Sequence, residues 1–297
     1  MESYRRFGQD GLSVNYRLDG IPVAFGAEST YDPTGIPMIK NAILKDISDV
    51  DQLDLENLRF ENDKNAQIAF DAVRIIQDEL NDEIFTGVGF MGPFTTAANL
   101  AGTTTVLKAM RKDPEGLHKL LDFAADATIE VGRKFVENQI GIGLAEPTAS
   151  LVSPKQFQEF VTPYYKKVME QWKEWGCRGA GFHICGDTSK LLECFTEMGI
   201  RGISIDSAVD IGYAKETIGD KLSIMGNVSP VEILEGTPAS IEQAVKECFA
   251  KCWDNPRGFT IAPGCDIPVK APLENIDAYM RAARQCAKYP VQPSNWE

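Results

Sequence analysis

Gly181-Phe182-His183-Ile184-Cys185-Gly186-Asp187-Thr188 reads as the end of a short apolar strand, Gly179 to Cys185, passing into a polar turn ahead of a helical stretch from Thr188 to Met198. In extended backbone, residues two apart point to the same side. His183 and Cys185 can therefore address one ion while Ile184 faces the opposite layer. Farther on, the apolar run Gly258 to Ala262 leads through Pro263 and Gly264 to Cys265, again just past a strand end.

Similar apolar runs recur along the chain: Ile21 to Gly26, Ile84 to Met91, Gly141 to Glu146, Gly202 to Asp206 and Leu222 to Val228, with an eighth candidate around Ser13 to Tyr16. Helical patterns separate most of them, at about Lys64 to Leu80, Asp113 to Asn138, Ser240 to Trp253 and Leu273 to Lys288. Between Ser153 and Gly176 the apolar residues Phe157, Phe160, Val161, Tyr164, Val168, Trp172 and Trp175 fall at helical spacing, with Ser153-Pro154 as a start signal and Gly176 as a stop. Pro163 lacks an N–H and is expected to break that helix, a second one beginning after Thr162 as its cap. The stretch from Tyr31 to Asp63 is the least regular. Strand–helix alternation calls for a parallel sheet with crossover helices, and the number of strands favours an α/β fold of the TIM-type (β/α)8 barrel class over an open doubly wound sheet. No glycine-rich dinucleotide fingerprint, repeat or long linker interrupts it, so one domain over residues 1–297 is expected. In such a barrel the strand ends converge on the active-site face, which would bring Cys265 to His183 and Cys185.

Two thiolates and an imidazole suit zinc, and three protein ligands leave a fourth position for water or substrate. The competing reading is that the cysteines pack as small apolar residues and the histidine is satisfied in the core. Glu146, before Pro147, and Asp206, after Ile205, are strand-end acids. Each could be a removable fourth ligand, a partner of His183 or an acid/base group, and equally a cap or turn former. Asn227 ends another strand and has similar standing. His118 is expected on a helix surface, and Cys248 and Cys252, four apart on one helix face, are expected to pack. Cys177, Cys194 and Cys286 show no partner in the pattern.

The 297 residues are 43% hydrophobic, enough for one large core, and carry a formal net charge of −13. Interleaved charges without a basic stripe argue against nucleic acid. No apolar run approaches the ~20 residues that span a bilayer, and the N-terminus has no apolar signal core, so a cytoplasmic protein is expected. Seven cysteines, an odd number in a chain of this size, fit thiols and metal ligands better than a disulfide framework.

Taken in order, Gly92-Pro93-Phe94-Thr95, Ser153-Pro154 with Phe160 and Pro163, His183-Ile184-Cys185-Gly186, Ile205-Asp206, Gly226-Asn227-Val228-Ser229-Pro230, Gly236-Thr237-Pro238 and Pro263-Gly264-Cys265, with Pro272 and Glu274-Asn275, resemble the uroporphyrinogen decarboxylase superfamily. The resemblance is to its zinc-dependent branch of methylcobalamin:coenzyme M and related corrinoid methyltransferases. It implies zinc on His183, Cys185 and Cys265. It also implies a methyl group moved between a methyl-corrinoid protein, carrying methylcobalamin as partner-bound co-substrate, and a small thiol such as coenzyme M. The runner-up is transfer from a small methylated donor to a cobalt(I) corrinoid protein. The cofactor-free decarboxylase branch fits less well, because its arginine-rich N-terminal segment is represented only by Arg5 and Arg6. A non-catalytic barrel that binds metal or a corrinoid protein would require a saturated ion. Two departures stand out: the N-terminal region is shorter than the family's, and Glu146 stands where relatives often carry Asp.

Overall fold

The computed structural model describes residues 1–30, 37–80 and 83–296. In chain order the principal elements are α1 (Glu2–Phe7), β1 (Gly11–Asn15), α2 (Gly20–Ala24), α3 (Lys64–Leu80), β2 (Phe85–Met91), α4 (Pro93–Ala101), α5 (Thr103–Lys112) and α6 (Pro114–Glu137). They continue as β3 (Gly141–Ala145), α7 (Pro154–Phe160), α8 (Thr162–Glu174), β4 (Ala180–Ile184), α9 (Leu192–Phe195), β5 (Gly202–Ile205) and α10 (Ile211–Ile218). The last are β6 (Ser223–Val228), α11 (Pro230–Glu235), α12 (Pro238–Cys252), β7 (Phe259–Pro263) and α13 (Leu273–Cys286). The α/β alternation and the parallel strands of a TIM-like fold are present.

The chain divides into two compact units. One comprises residues 10–181 and 197–199. Within it β1, β2 and β3 pair in parallel, in a register that sets Val14 opposite Val88 and Val88 opposite Ile142. Phe90 on β2 is buried at the centre of an aromatic cluster with Tyr16, Phe135 and Trp172. Trp172 of α8 lies against α6 where residue 132 is glycine; a Cβ there would sit 2.3 Å from the indole. The indole N–H donates to the Ile129 carbonyl at 3.3 Å.

The other unit comprises residues 1–9, 182–196 and 200–297. Its strands, β4 from Phe182 onward with β5, β6 and β7, also pair in parallel. Alternation gives this sheet two unlike faces. Phe182, Ile184, Ile203, Ile205, Ile224 and Val228 are buried, and Val228 joins a core that includes Ile241, Val245 and Phe249 of α12 and Tyr279 and Ala282 of α13. The opposite face presents His183, Ser204 and Met225. Helix starts follow their sequence signals: Ser153, Ser229 and Thr237 each cap a helix whose first residue is proline.

Several sequence expectations need correction. Among the described residues the strands number seven, not eight: Ile21–Gly26 is not a strand, its first part forming α2, while the Ser13–Tyr16 candidate is β1. Pro22 has no N–H for a sheet ladder but fits the first turn of a helix, and Gly26, at φ +91°, follows its end. The helix expected over Thr188–Met198 shrinks to a 3-10 turn, Ser189–Leu191, and the short α9. Asp187 accepts hydrogen bonds from the Ser189 N–H and hydroxyl, a local turn that competes with helical bonding. The break at Pro163 is found, with Val161 rather than Thr162 at the cap position of α8. His118 is not a plain surface residue: it is half-buried, stacked on Phe160 at 4.9 Å, and its Nδ1 lies 2.6 Å from the Tyr164 hydroxyl. Of the irregular stretch Tyr31–Asp63, residues 31–36 lie outside the described residues; the rest includes short 3-10 turns at Ile47–Gln52 and Leu55–Leu58.

Candidate metal centre

His183 is the fourth residue of β4, and Cys185 is the first residue after that strand. Cys265 comes two residues after the end of β7. Their ligand atoms all lie within 4.8 Å of one another, and they are the group of three or more such side chains found among the described residues. Cys185 Sγ is 3.3 Å from His183 Nε2 and 3.7 Å from Cys265 Sγ. A tetrahedral zinc with Zn–S of about 2.3 Å and Zn–N of about 2.0 Å would hold its ligand atoms ~3.8 Å (S to S) and ~3.5 Å (S to N) apart. The donor set and its spacing therefore fit zinc.

The sequence folds around these atoms for local reasons. Gly186 takes φ +84°, a turn that favours glycine, and its N–H donates to Asp206 Oδ2 at 2.9 Å. Asp206 Oδ1 accepts from the Ala208 N–H at 2.9 Å. Asp206 thus ties the turn after β4 to the turn after β5. His183 Nδ1 lies 3.1 Å from the Ser204 carbonyl oxygen and 3.2 Å from its hydroxyl. A carbonyl oxygen can only accept, so Nδ1 carries the proton and Nε2 keeps its lone pair toward the cysteines.

The electrostatics favour a cation. Hydrogen bonds from Cys185 and then His183 pull the Cys265 thiol down to about 4, against the cost of burial. Cys185 is pushed far up, first by its hydrogen bond to Cys265 and then by burial. Burial works against a charged His183, but the hydrogen bond and charge of Cys265 outweigh it and raise its pKa. A thiolate beside a second thiol is an arrangement in which a divalent ion would displace the remaining thiol proton.

The remaining candidates separate. Asn227, 8% exposed, spends its amide donors on the Asp206 carbonyl at 3.0 Å and the Val209 carbonyl at 2.6 Å, and its oxygen faces Cys248 Sγ at 3.7 Å. Glu146 belongs to the other unit and is fully buried there. Its carboxylate accepts from the N–H groups of Phe94 and Thr95 in the first turn of α4, at 3.0 and 2.8 Å. Burial outweighs these bonds and raises its pKa to about 7. Cys248, Cys252, Cys194 and Cys286 are buried thiols, as packing would have them, and Cys177 is partly buried. Sequence reasoning missed Ser204. Its signal was a lone hydroxyl alternating with Ile203 and Ile205 on a strand beside that of His183.

Parallel strands with a Cys2His ligand set at their carboxyl ends define an α/β protein with a candidate metal centre. The chain belongs to the uroporphyrinogen decarboxylase (URO-D) family, whose model matches residues 1–286. It is 32% identical over 199 residues to a methylated-thiol–coenzyme M methyltransferase of Methanosarcina mazei, covering 65% of this chain and 51% of that protein. It is 29% identical over 252 residues to the methylcobamide:CoM methyltransferase MtbA of Methanosarcina acetivorans, covering 84% of this chain and 71% of that one. A solved structure, a methyltransferase from Methanosarcina mazei, superposes with a TM-score of 0.79 at 25% identity, over 95% of this chain and 82% of its own. The match thus spans about half the length of the first of these relatives. No helix among the described residues is long and apolar enough to cross a membrane.

Proposed function

We propose that this chain is a zinc-dependent corrinoid methyltransferase, moving a methyl group between a methyl-corrinoid carried by a partner protein and a small thiol such as coenzyme M. The observation that carries this reading is the ligand spacing: Cys185 Sγ to Cys265 Sγ at 3.7 Å and to His183 Nε2 at 3.3 Å, in a chain of this family. Zinc held by His183, Cys185 and Cys265 would supply Lewis acidity, keeping a small thiol as its thiolate at neutral pH. In that reading the thiolate sulfur would form the new S–CH3 bond as the Co–CH3 bond broke, the pair of the Co–C bond remaining on the partner's corrinoid as cobalt(I).

The chain's residues prepare that step. Ser204 holds the imidazole of His183, Asp206 fixes the turn that carries Cys185, and Asn227 pins the loop that carries Asp206. Asp206 and Asn227 are thereby positioning residues. Glu146, in the other unit, keeps its standing as an acid–base candidate on its raised pKa of about 7. One family model running over residues 1–286 supports the single-domain reading, and reduced thiols suit a cytoplasmic setting.

A second reading has its own support, because the 32% identical relative is named for a methylated thiol. The methyl group would then leave such a donor for a cobalt(I) corrinoid. The deciding experiment measures zinc in the protein and in His183→Ala, Cys185→Ala and Cys265→Ala, then follows methylcobalamin demethylation with and without coenzyme M. About one zinc per chain, lost in the variants, with thiol-dependent demethylation establishes the first reading. Zinc without thiol-dependent turnover, but with methylation of reduced cobalamin by a methylated thiol, establishes the second. A zinc-free protein indifferent to the three substitutions refutes both.

A further inference from the structure

The face of the β4–β7 sheet that carries His183 leaves one large apolar side chain uncovered. The parallel register pairs His183 with Ser204, Ser204 with Met225, and Met225 with Thr260, so these four residues form one cross-strand row on that face. His183, at one end of this row, is also a candidate metal ligand, and its ligand atom lies within 4.8 Å of those of Cys185 and of Cys265, which follows the end of β7. Met225 sits on β6, on the face that carries His183.

Met225 is 42% exposed, whereas Ile224 and Val228 on the same strand are 1% and 2% exposed. The polar side chains of Ser204 on β5, Asp206 after it and Asn227 near the end of β6 are already engaged. Ser204 faces His183, Asp206 holds the Gly186 and Ala208 N–H groups, and Asn227 holds two backbone carbonyls. Ser204 and Thr260, its neighbours in the row, carry only short side chains. A long, flexible thioether left bare on this face is suited to adapting its shape around the carbon chain of a small ligand.

We infer that Met225 is a specificity-determining residue: its side chain forms the apolar wall against which the carbon chain of the small thiol, or of its methylated form, packs. This inference rests on the proposed thiol reading. It predicts selection by chain length, since the fit of a methylene group in an apolar pocket discriminates by about tenfold or more.

The test loads the protein with cobalt(II) in place of zinc and titrates it with ethanethiol and with 1-butanethiol, reading the increase of the near-ultraviolet thiolate-to-cobalt band above that given by Cys185 and Cys265. Met225→Ala should shift the preference toward 1-butanethiol by about tenfold, Met225→Phe should shift it by a similar factor toward ethanethiol, and Met225→Leu should stay within about twofold of the parent. An unchanged ratio in Met225→Ala and Met225→Phe, with full cobalt content, overturns the inference. Loss of metal in all three variants also overturns it, because Met225 would then support the centre rather than select the ligand. If the band of the parent protein does not increase with either thiol, the thiol reading itself fails. An increase in the parent with an invariant ratio sinks Met225 alone.

Discussion

Ser204 stands opposite His183 in the register of β4 and β5, and its carbonyl oxygen and hydroxyl lie 3.1 and 3.2 Å from the imidazole Nδ1. One residue thus fixes both the ring's orientation and its tautomer. The carbonyl part survives substitution, since every residue has one. The hydroxyl does not. Ser204→Ala should therefore weaken zinc binding toward the low end of the 10–100-fold range typical of such outer partners, about tenfold, with an unchanged fold. Competition with a chromophoric chelator measures this, and an unaltered zinc affinity would show that the hydroxyl contributes nothing.

Glu146 supplies a pH dependence whose sign is fixed by burial. Its pKa rises from 4.5 to about 7 in the folded chain. Between those values the folded state binds more protons than the unfolded one, so stability falls as pH rises through that window and levels off above it. The contribution is on the order of 3 kcal/mol over the full window. Glu146→Gln keeps an acceptor for the first turn of α4 but cannot ionise. Urea unfolding at pH 5 and pH 7.5 should show a smaller loss of stability for Glu146→Gln than for the parent, and parallel profiles would refute the assignment.

Asn227 offers a way to separate positioning from ligation. Both of its amide donors serve backbone carbonyls, those of Asp206 and Val209. Removing them leaves two acceptors short of a partner in a poorly accessible place. Asn227→Ala should cost about 2–4 kcal/mol of stability while zinc remains at one per chain. Zinc loss at full stability, read by metal analysis beside the unfolding curve, would instead make Asn227 part of the metal centre.

The sequence revealed the His183-x-Cys185 pair because a strand has period two, and no other part of the chain is needed to read it. Cys265 lies 80 positions from Cys185. Local pattern could place it at a strand end, but only the assumed convergence of strand ends, reinforced by the family resemblance, could join it to the pair. The misread segment, Ile21–Gly26, shows the opposite limit. Five apolar residues in a row fit a buried strand and a short buried helix equally, and Pro22 was the deciding signal. Ser204 and Met225 stayed hidden because their roles depend on register, which sets which residues of neighbouring strands stand side by side. A lone serine or methionine in a strand carries no such information.

Packing between α6 and α8 gives a prediction independent of the metal. Gly132 is buried, and a Cβ at that position would meet Trp172 Cζ2 at 2.3 Å. The indole is fully buried, with Phe90 beside it, and its N–H is bonded to the Ile129 carbonyl. It cannot move away without giving up that bond or opening the aromatic cluster. In an exposed helix, replacing glycine by alanine would stabilise the chain by up to about 1 kcal/mol. Here overpacking should win, at a cost of about 1–3 kcal/mol. Gly132→Ala should therefore lower the urea midpoint and leave zinc content unchanged, and pairing it with Trp172→Phe should recover part of the loss. A midpoint raised by Gly132→Ala alone would mean that the two helices can separate freely at this contact.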